Sequence, residues 1–200
     1  MLEVAERLFA EQGLDAVSLR AVGQEAGQRN NSAAQYHFGS RQGLIEAIIE
    51  TRSRPVEARR AELAARASAR PDPPVRELVG LLVLPLVETL ASPSHYLRFL
   101  ARVVEQEEPG VVPDSPSQRS LRYMHRELRA RLPELSAVTF ERRLRWATAI
   151  GLRTLADLER EAGSGSAPDT RVVVADLLVM LEALMLAPDP APTSGPGQPK

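Results

Sequence analysis

Apolar residues recur every three or four positions along almost the whole chain, which is the period of an amphipathic helix rather than of a strand. Leu2, Ala5, Leu8 and Phe9 mark a first stripe, and Gly13 closes it. Leu19, Val22 and Ala26 mark a second, short helix that Ser18 caps and Gly27 ends. Gly23 lies inside it, where glycine costs ~1 kcal/mol relative to alanine, so a neighbouring helix is expected to cross close by. A third helix, Ser32 to Phe38, is predicted to bury Ala34 and Phe38 and to turn Asn31, Ala33, Gln35 and His37 outward. Ser40 then caps a fourth through Arg41, Leu44, Ile45, Ile48 and Ile49, which the segment Arg52 to Arg70 continues or closely follows.

Prolines punctuate the remainder. Pro71-Asp72-Pro73-Pro74 breaks the chain before a helical run from Val75 to Leu90, in which Pro85 is expected to cause a kink. After Ser92-Pro93-Ser94, a helix from His95 to Gln106 turns Tyr96, Phe99, Leu100 and Val103 inward. Glu107 to Gln118 reads as a loop, and Leu121, Met124, Leu128 and Leu132 form a helix that Pro133 ends. Ala137 to Glu161 carries Phe140, Leu144, Ala147, Gly151, Leu155 and Leu158 on one stripe, and Thr170 is the expected cap of Arg171 to Ala187. That last helix is apolar around most of its circumference, so it requires burial on several sides. One protomer supplies one side, and a second copy is expected to supply another, in a two-fold four-helix bundle. The expected homodimer interface is Phe140, Leu144, Ala147, Gly151, Leu155, Val173, Leu177, Met180, Leu181 and Leu184. Pro188 onward reads as a disordered tail. The fold class is all-α.

Composition narrows the chemistry. The 200 residues contain no cysteine, which removes disulfides and thiolate metal sites, and neither a metal nor a cofactor is expected. His37, His95 and His125 are scattered, and Glu107-Glu108 beside Pro109 reads as a solvated turn. No Gly-x-Ser-x-Gly, Walker loop, His-Glu-x-x-His or Gly-x-Gly-x-x-Gly occurs. The most apolar run, Val172 to Ala187, includes Asp176 and Glu182 and is shorter than the ~20 apolar residues a bilayer span needs. With an amphipathic first helix and no basic leader, a cytoplasmic protein is expected.

The cap, helix, glycine break, polar turn and second helix between Ser18 and Phe38 form the pattern of a helix-turn-helix, whose second helix lies in the major groove of DNA. Gln and Asn pair bidentately with adenine, and Arg with guanine. The candidate DNA contacts are Ser18, Arg20, Arg29, Asn31, Ser32, Ala33, Gln35, His37 and Arg41. Tyr36 and Phe38 read as partly structural. Charge opposes a simple electrostatic binder: Arg7, Arg20, Arg29 and Arg41 are outnumbered by Glu3, Glu6, Glu11, Asp15, Glu25, Glu46 and Glu50. Arg52, Arg54, Arg59 and Arg60 follow as a further supply of positive charge, and weak non-specific affinity with dependence on dimerisation is expected.

The runs LFAEQGLDAVSLRAVGQEAG and YHFGSRQGLIEAI resemble the TetR/AcrR family of transcriptional regulators. The likeness rests on Phe9-Ala10-Glu11-Gln12-Gly13, Ser18-Leu19-Arg20, Ala26-Gly27, Tyr36-His37-Phe38 and Ser40-Arg41-Gln42-Gly43-Leu44. It covers about the first fifty residues, with Arg41 at a position where the family usually has Lys and a turn one residue longer than usual. The resemblance implies a three-helix DNA-binding domain over residues 1–50 and a ligand-binding and dimerisation domain over 51–187. It also implies a one-component regulator, expected to be a repressor, that binds operator DNA as a homodimer and is released by a small-molecule effector. Phe99, Arg102, Tyr123, Met124 and Trp146 are the expected lining of an effector pocket for an apolar or amphipathic ligand. The alternatives are a helical dimeric adaptor without DNA binding and a small helical enzyme.

Overall fold

The computed structural model describes residues 1–27, 33–106, 119–162 and 168–189. Among them the regular structure is all helical: α1 Leu2–Gln12, α2 Leu19–Glu25, α3 Ala33–Phe38, α4 Arg41–Ser68, α5 Val75–Val87, α6 Tyr96–Gln106, α7 Arg119–Arg131, α8 Ala137–Ala162 and α9 Thr170–Leu186. The expected loop 107–118 lies outside the described residues, as does the expected tail from residue 190, whereas Pro188 and Asp189 at the start of that tail are ordered against α8. Buried side chains form one core that runs from α1 through the body, with Phe9, Ile48, Phe99, Leu128, Phe140 and Leu155 fully enclosed. The Phe9 and Phe99 rings lie 6.0 Å apart, which joins α1 to α6 through apolar contact.

Local signals set the helix ends. Ser18 Oγ accepts from the Ala21 amide at 3.1 Å, and Ser40 Oγ accepts from the Gly43 amide at 3.0 Å. At α9 the cap is Asp169 rather than the expected Thr170: its Oδ1 accepts from the Arg171 amide at 2.9 Å, and Thr170 is the first helical residue.

α4 is a single helix of 28 residues that carries Pro55 inside it, so the boundary expected at residue 50 falls within a continuous element. α5 stops at Val87, two residues past Pro85, and passes into one 3₁₀ turn, Glu88–Ala91. Pro85 has no amide hydrogen, so the Leu81 carbonyl four residues earlier loses its intrahelical donor. Arg60 of α4 replaces it: its Nε donates to the Leu81 oxygen at 2.8 Å, from a side chain that is almost fully enclosed and also paired with Glu57. Burial lowers the Arg60 guanidinium to about 10, which leaves it charged at neutral pH. Arg60 therefore acts as a structural tie and adds nothing to a basic surface. Arg60→Met is expected to cost about 1–3 kcal/mol, the penalty of an orphaned buried carbonyl. Pro85→Ala restores the missing donor, so the same substitution in that background should cost markedly less in urea unfolding. Strictly additive losses would refute the pairing.

The start of α6 is held by two buried carboxylates from opposite sides. Glu159 of α8 accepts from Ser94 Oγ at 2.9 Å, the Leu97 amide at 3.2 Å and the Arg98 amide at 3.0 Å. Glu6 of α1 accepts from the His95 amide at 3.0 Å and from Arg52 Nε at 2.6 Å. These amides are the donors that a helix start leaves unpaired, at the positive end of its dipole.

α8 and α9 run antiparallel. Near the start of α8, the buried Arg143 donates to the carbonyls of Met185, Ala187 and Pro188, the orphan acceptors at the end of α9. Asp189 Oδ2 in turn accepts from the Ser136 amide at 2.8 Å, just before α8. Hydrogen bonds from the Thr139 side chain and the Ser136 amide hold the Asp189 carboxyl below its ordinary range. A depressed carboxylate stabilises above its unfolded value, so this tether is lost as the pH falls through the depressed one.

Candidate nucleic-acid interface

The N-terminal head is built so that the end of α3 cannot slide against α4. A Cβ on Gly43 would fall inside the contact radius of the Phe38 carbonyl oxygen, so only glycine lets the first turn of α4 sit this close. Gly39 between them has φ 68°, the left-handed region. Val22 is fully enclosed, and Phe38 is half-buried against the core. Arg7 spans α1 and α2, with Nη2 2.6 Å from Glu25 and Nη1 3.3 Å from Glu11. Gly43→Ala is expected to shift α3 and to lower DNA affinity more than tenfold while the α8 and α9 core stays folded. Footprinting beside circular dichroism checks this, and unchanged affinity would show that the contact is not rigid.

The sequence-predicted contacts divide into several groups. Ser18 caps α2, and Arg20 is exposed on that helix without an ion pair among the described residues. Gln35 and His37 are exposed on α3, as expected. The Gln35 Nε2 donates to the Gly39 carbonyl at 2.5 Å, so this amide must turn outward before it can read a base. Ala33 is the first residue of α3, while Arg29, Asn31 and Ser32 lie outside the described residues. Arg41 is turned back onto the loop after α1, where it donates to the Leu14 carbonyl at 3.2 Å and pairs with Asp15 at 3.0 Å.

Tyr36 corrects the sequence reading. It is 86% exposed, with its ring edge-on to His37 at 5.6 Å, and so has no structural role in the core. It stands two residues from both Ala34 and Phe38, off the stripe expected to be buried, and that spacing is the available signal. An exposed phenol of this kind offers a donor to a phosphate or base edge.

The further basic supply is also corrected. Arg52 pairs with Glu6, Arg54 with Glu50 at 2.8 Å, and Arg59 with Glu62 and Glu88 at 2.8 and 2.6 Å. These arginines neutralise local carboxylates, so the exposed cations of the head are few.

Two larger groupings do not come together as expected. Phe99 is enclosed against Phe9 and Tyr96, and Met124 is enclosed beneath α7. Arg102 opens on a cleft beside α1, Tyr123 on a groove beside α4, and Trp146 is 51% exposed on α8. Neither of these two clefts brings the five expected effector-pocket residues together. In the expected dimer set, Phe140, Ala147, Gly151, Leu155, Leu177 and Leu181 are enclosed in their own protomer, and Leu144, Val173 and Leu184 are half-buried. A Cβ on Gly151 would meet Val83 of α5 at 3.3 Å, so the close approach that this glycine permits is intramolecular. Of that set only Met180 is exposed, along with Val172, Val179 and Leu186 on α9 and Val138, Trp146 and Ile150 on α8.

Among the described residues no cluster of His, Asp or Glu is placed to hold a metal ion, and no helix is long and apolar enough to cross a membrane. Residues 1–48 match the family model described as bacterial regulatory proteins, tetR family. No curated protein matches the chain.

Proposed function

Given a TetR-family N-terminal DNA-binding domain at residues 1–48, we propose that the protein is a cytoplasmic transcriptional repressor that binds operator DNA as a homodimer and releases it when a small molecule binds the helical body. The observation that carries this reading is the coincidence of the family match with an exposed Gln35-Tyr36-His37 edge on α3, the helix that follows the turn. Such a helix places its outer side chains at base edges once the preceding helix crosses the backbone.

The exposed apolar faces of α8 and α9 supply the dimerisation surface. Val172, Val179, Met180 and Leu186 follow helical spacing along one side of α9, with the exposed Asp176 among them, and α8, which packs against α9, exposes Trp146 and Ile150. Large apolar side chains exposed together along one side of a helix mark an interaction site. A two-fold arrangement buries this face against its own copy and sets the two heads one helical turn of DNA, or a multiple, apart.

Gel shifts with the DNA flanking the protein's own gene test the proposal. Retention should weaken steeply between low and moderate salt as phosphate contacts are screened. Gln35→Ala should lower specific binding about tenfold, within the ~1–3 kcal/mol of a bidentate base contact, at an unchanged melting temperature. Salt-independent retention, or no effect of the substitution, would exclude base reading by α3.

A further inference from the structure

Two clefts among the described residues of the body differ in charge. The cleft between α1, α6 and α8 holds about 330 Å³ and includes Arg98, Arg102, Arg153 and Arg160. Its arginines are already answered: Arg153 and Arg160 lie 3.2 and 2.9 Å from Asp157, and Arg102 lies 3.3 Å from Glu105. The groove between α4 and α7 holds about 420 Å³, within the range of small-molecule sites. Its floor is the alanine face of α4, formed by Ala61, Ala64 and Ala65, beside Ser68, whose hydroxyl donates to the Ala65 carbonyl at 2.9 Å. Its opposite wall is one side of α7, where Arg119, Arg122 and Arg126 stand at helical spacing around Tyr123. Among the described residues no carboxylate lines it. Arg126 lies 3.2 Å from Glu127 and 5.5 Å from the centre of the Tyr123 ring, and Arg119 makes no ion pair among the described residues.

We propose that this groove binds a small amphipathic anion, with a flat apolar body on the alanine floor and a carboxylate among the α7 guanidinium groups. Guanidinium forks match carboxylates bidentately, and the charge-assisted bond strengthens where the apolar body excludes water. A bare inorganic anion would leave the methyl floor uncovered and gains nothing from it. Burial raises the Tyr123 phenol above its ordinary value, which keeps it protonated and available as a donor. Binding rests on the groove alone. Its regulatory consequence rests on the repressor reading, because the floor belongs to the same helix whose first turn abuts α3.

Titration calorimetry of the full chain with 2-naphthoate tests the site, with 2-naphthamide as the neutral isostere and inorganic phosphate as the bare anion. Saturable binding of one naphthoate per chain is expected, with the amide and phosphate at least tenfold weaker. Arg119→Gln combined with Arg126→Gln should weaken naphthoate at least tenfold. Ala65→Leu, at an exposed position, should fill the floor and abolish binding with no loss of melting temperature. Equal binding of the amide, or affinity untouched by both variants, would overturn the site. Gel shifts separate the two readings. Naphthoate that binds without releasing DNA leaves the groove standing and removes its effector role. DNA binding by a protein that ignores naphthoate removes the groove and leaves the repressor.

Discussion

Glu159→Ala is expected to destabilise the protein by about 3–5 kcal/mol, the range seen when one member of a buried charged network is removed. The carboxylate is almost fully enclosed, yet it accepts from the Ser94 hydroxyl and from two amides of the first turn of α6, and it forms an ion pair with the Arg98 guanidinium at 3.5 Å. Alanine leaves those amides without a partner in a site that water enters poorly, and each orphan costs ~1–3 kcal/mol. Glu159→Gln keeps two acceptor lone pairs but introduces an NH₂ among donors, so its loss should be intermediate. Urea unfolding of the three proteins checks the order. A loss below ~1 kcal/mol for alanine would mean that α6 is held by its apolar face alone. Hydrogen exchange should also show early opening at Leu97 and Arg98, because only Glu6 then remains at that helix start.

The second large effect concerns assembly. Val179→Glu with Met180→Glu should convert the protein to a monomer and lower operator affinity at least a hundredfold. Both side chains are about half exposed in the protomer and lie in the middle of the α9 apolar face, so folding tolerates the change while a two-fold contact does not. Each charge would meet its own symmetry mate or an apolar neighbour without compensation. A single head forfeits the effective concentration that tethering gives the second one. Trp146 provides the readout, as the sole tryptophan and 51% exposed in the protomer. Its emission should shift to the blue in the wild-type dimer and to the red in the variant. Sedimentation of the wild type should give twice the 21.9 kDa of one chain. A wild-type monomer, or a variant that keeps full affinity, would remove dimerisation from the mechanism.

Much of the head was legible because its signals are local. A serine before an apolar run, a glycine after it and a stripe at helical spacing all act within a few residues, and α1, α2 and the cap of α4 follow them. The same holds for α6 and α7, where one apolar face is separated from one polar face. The phase of α8 and α9 was not legible. A helix that is apolar nearly all round carries no mark for which side meets its own core and which a second copy, so Phe140 and Leu181 were read as interface although they face inward. Arg60 was unreadable for a different reason. Its partner is a carbonyl in another helix, freed by a proline four residues further on, and charge in a sequence ordinarily implies exposure. Residue type marks the effector-pocket candidates, and type says nothing about which wall of a helix they occupy.

The unbroken run of α4 has a mechanical consequence. At 1.5 Å per residue its 28 residues span about 42 Å, with the alanine floor near one tip and the Gly43 abutment at the other. A rod of that length pivoting by roughly 3° about one tip swings the other by about 2 Å, and in the proposed dimer two such rods swinging apart would add about 4 Å between the heads. A wedge thinner than one methyl group at the far tip is thus magnified into a misfit on the scale of a hydrogen bond at the duplex.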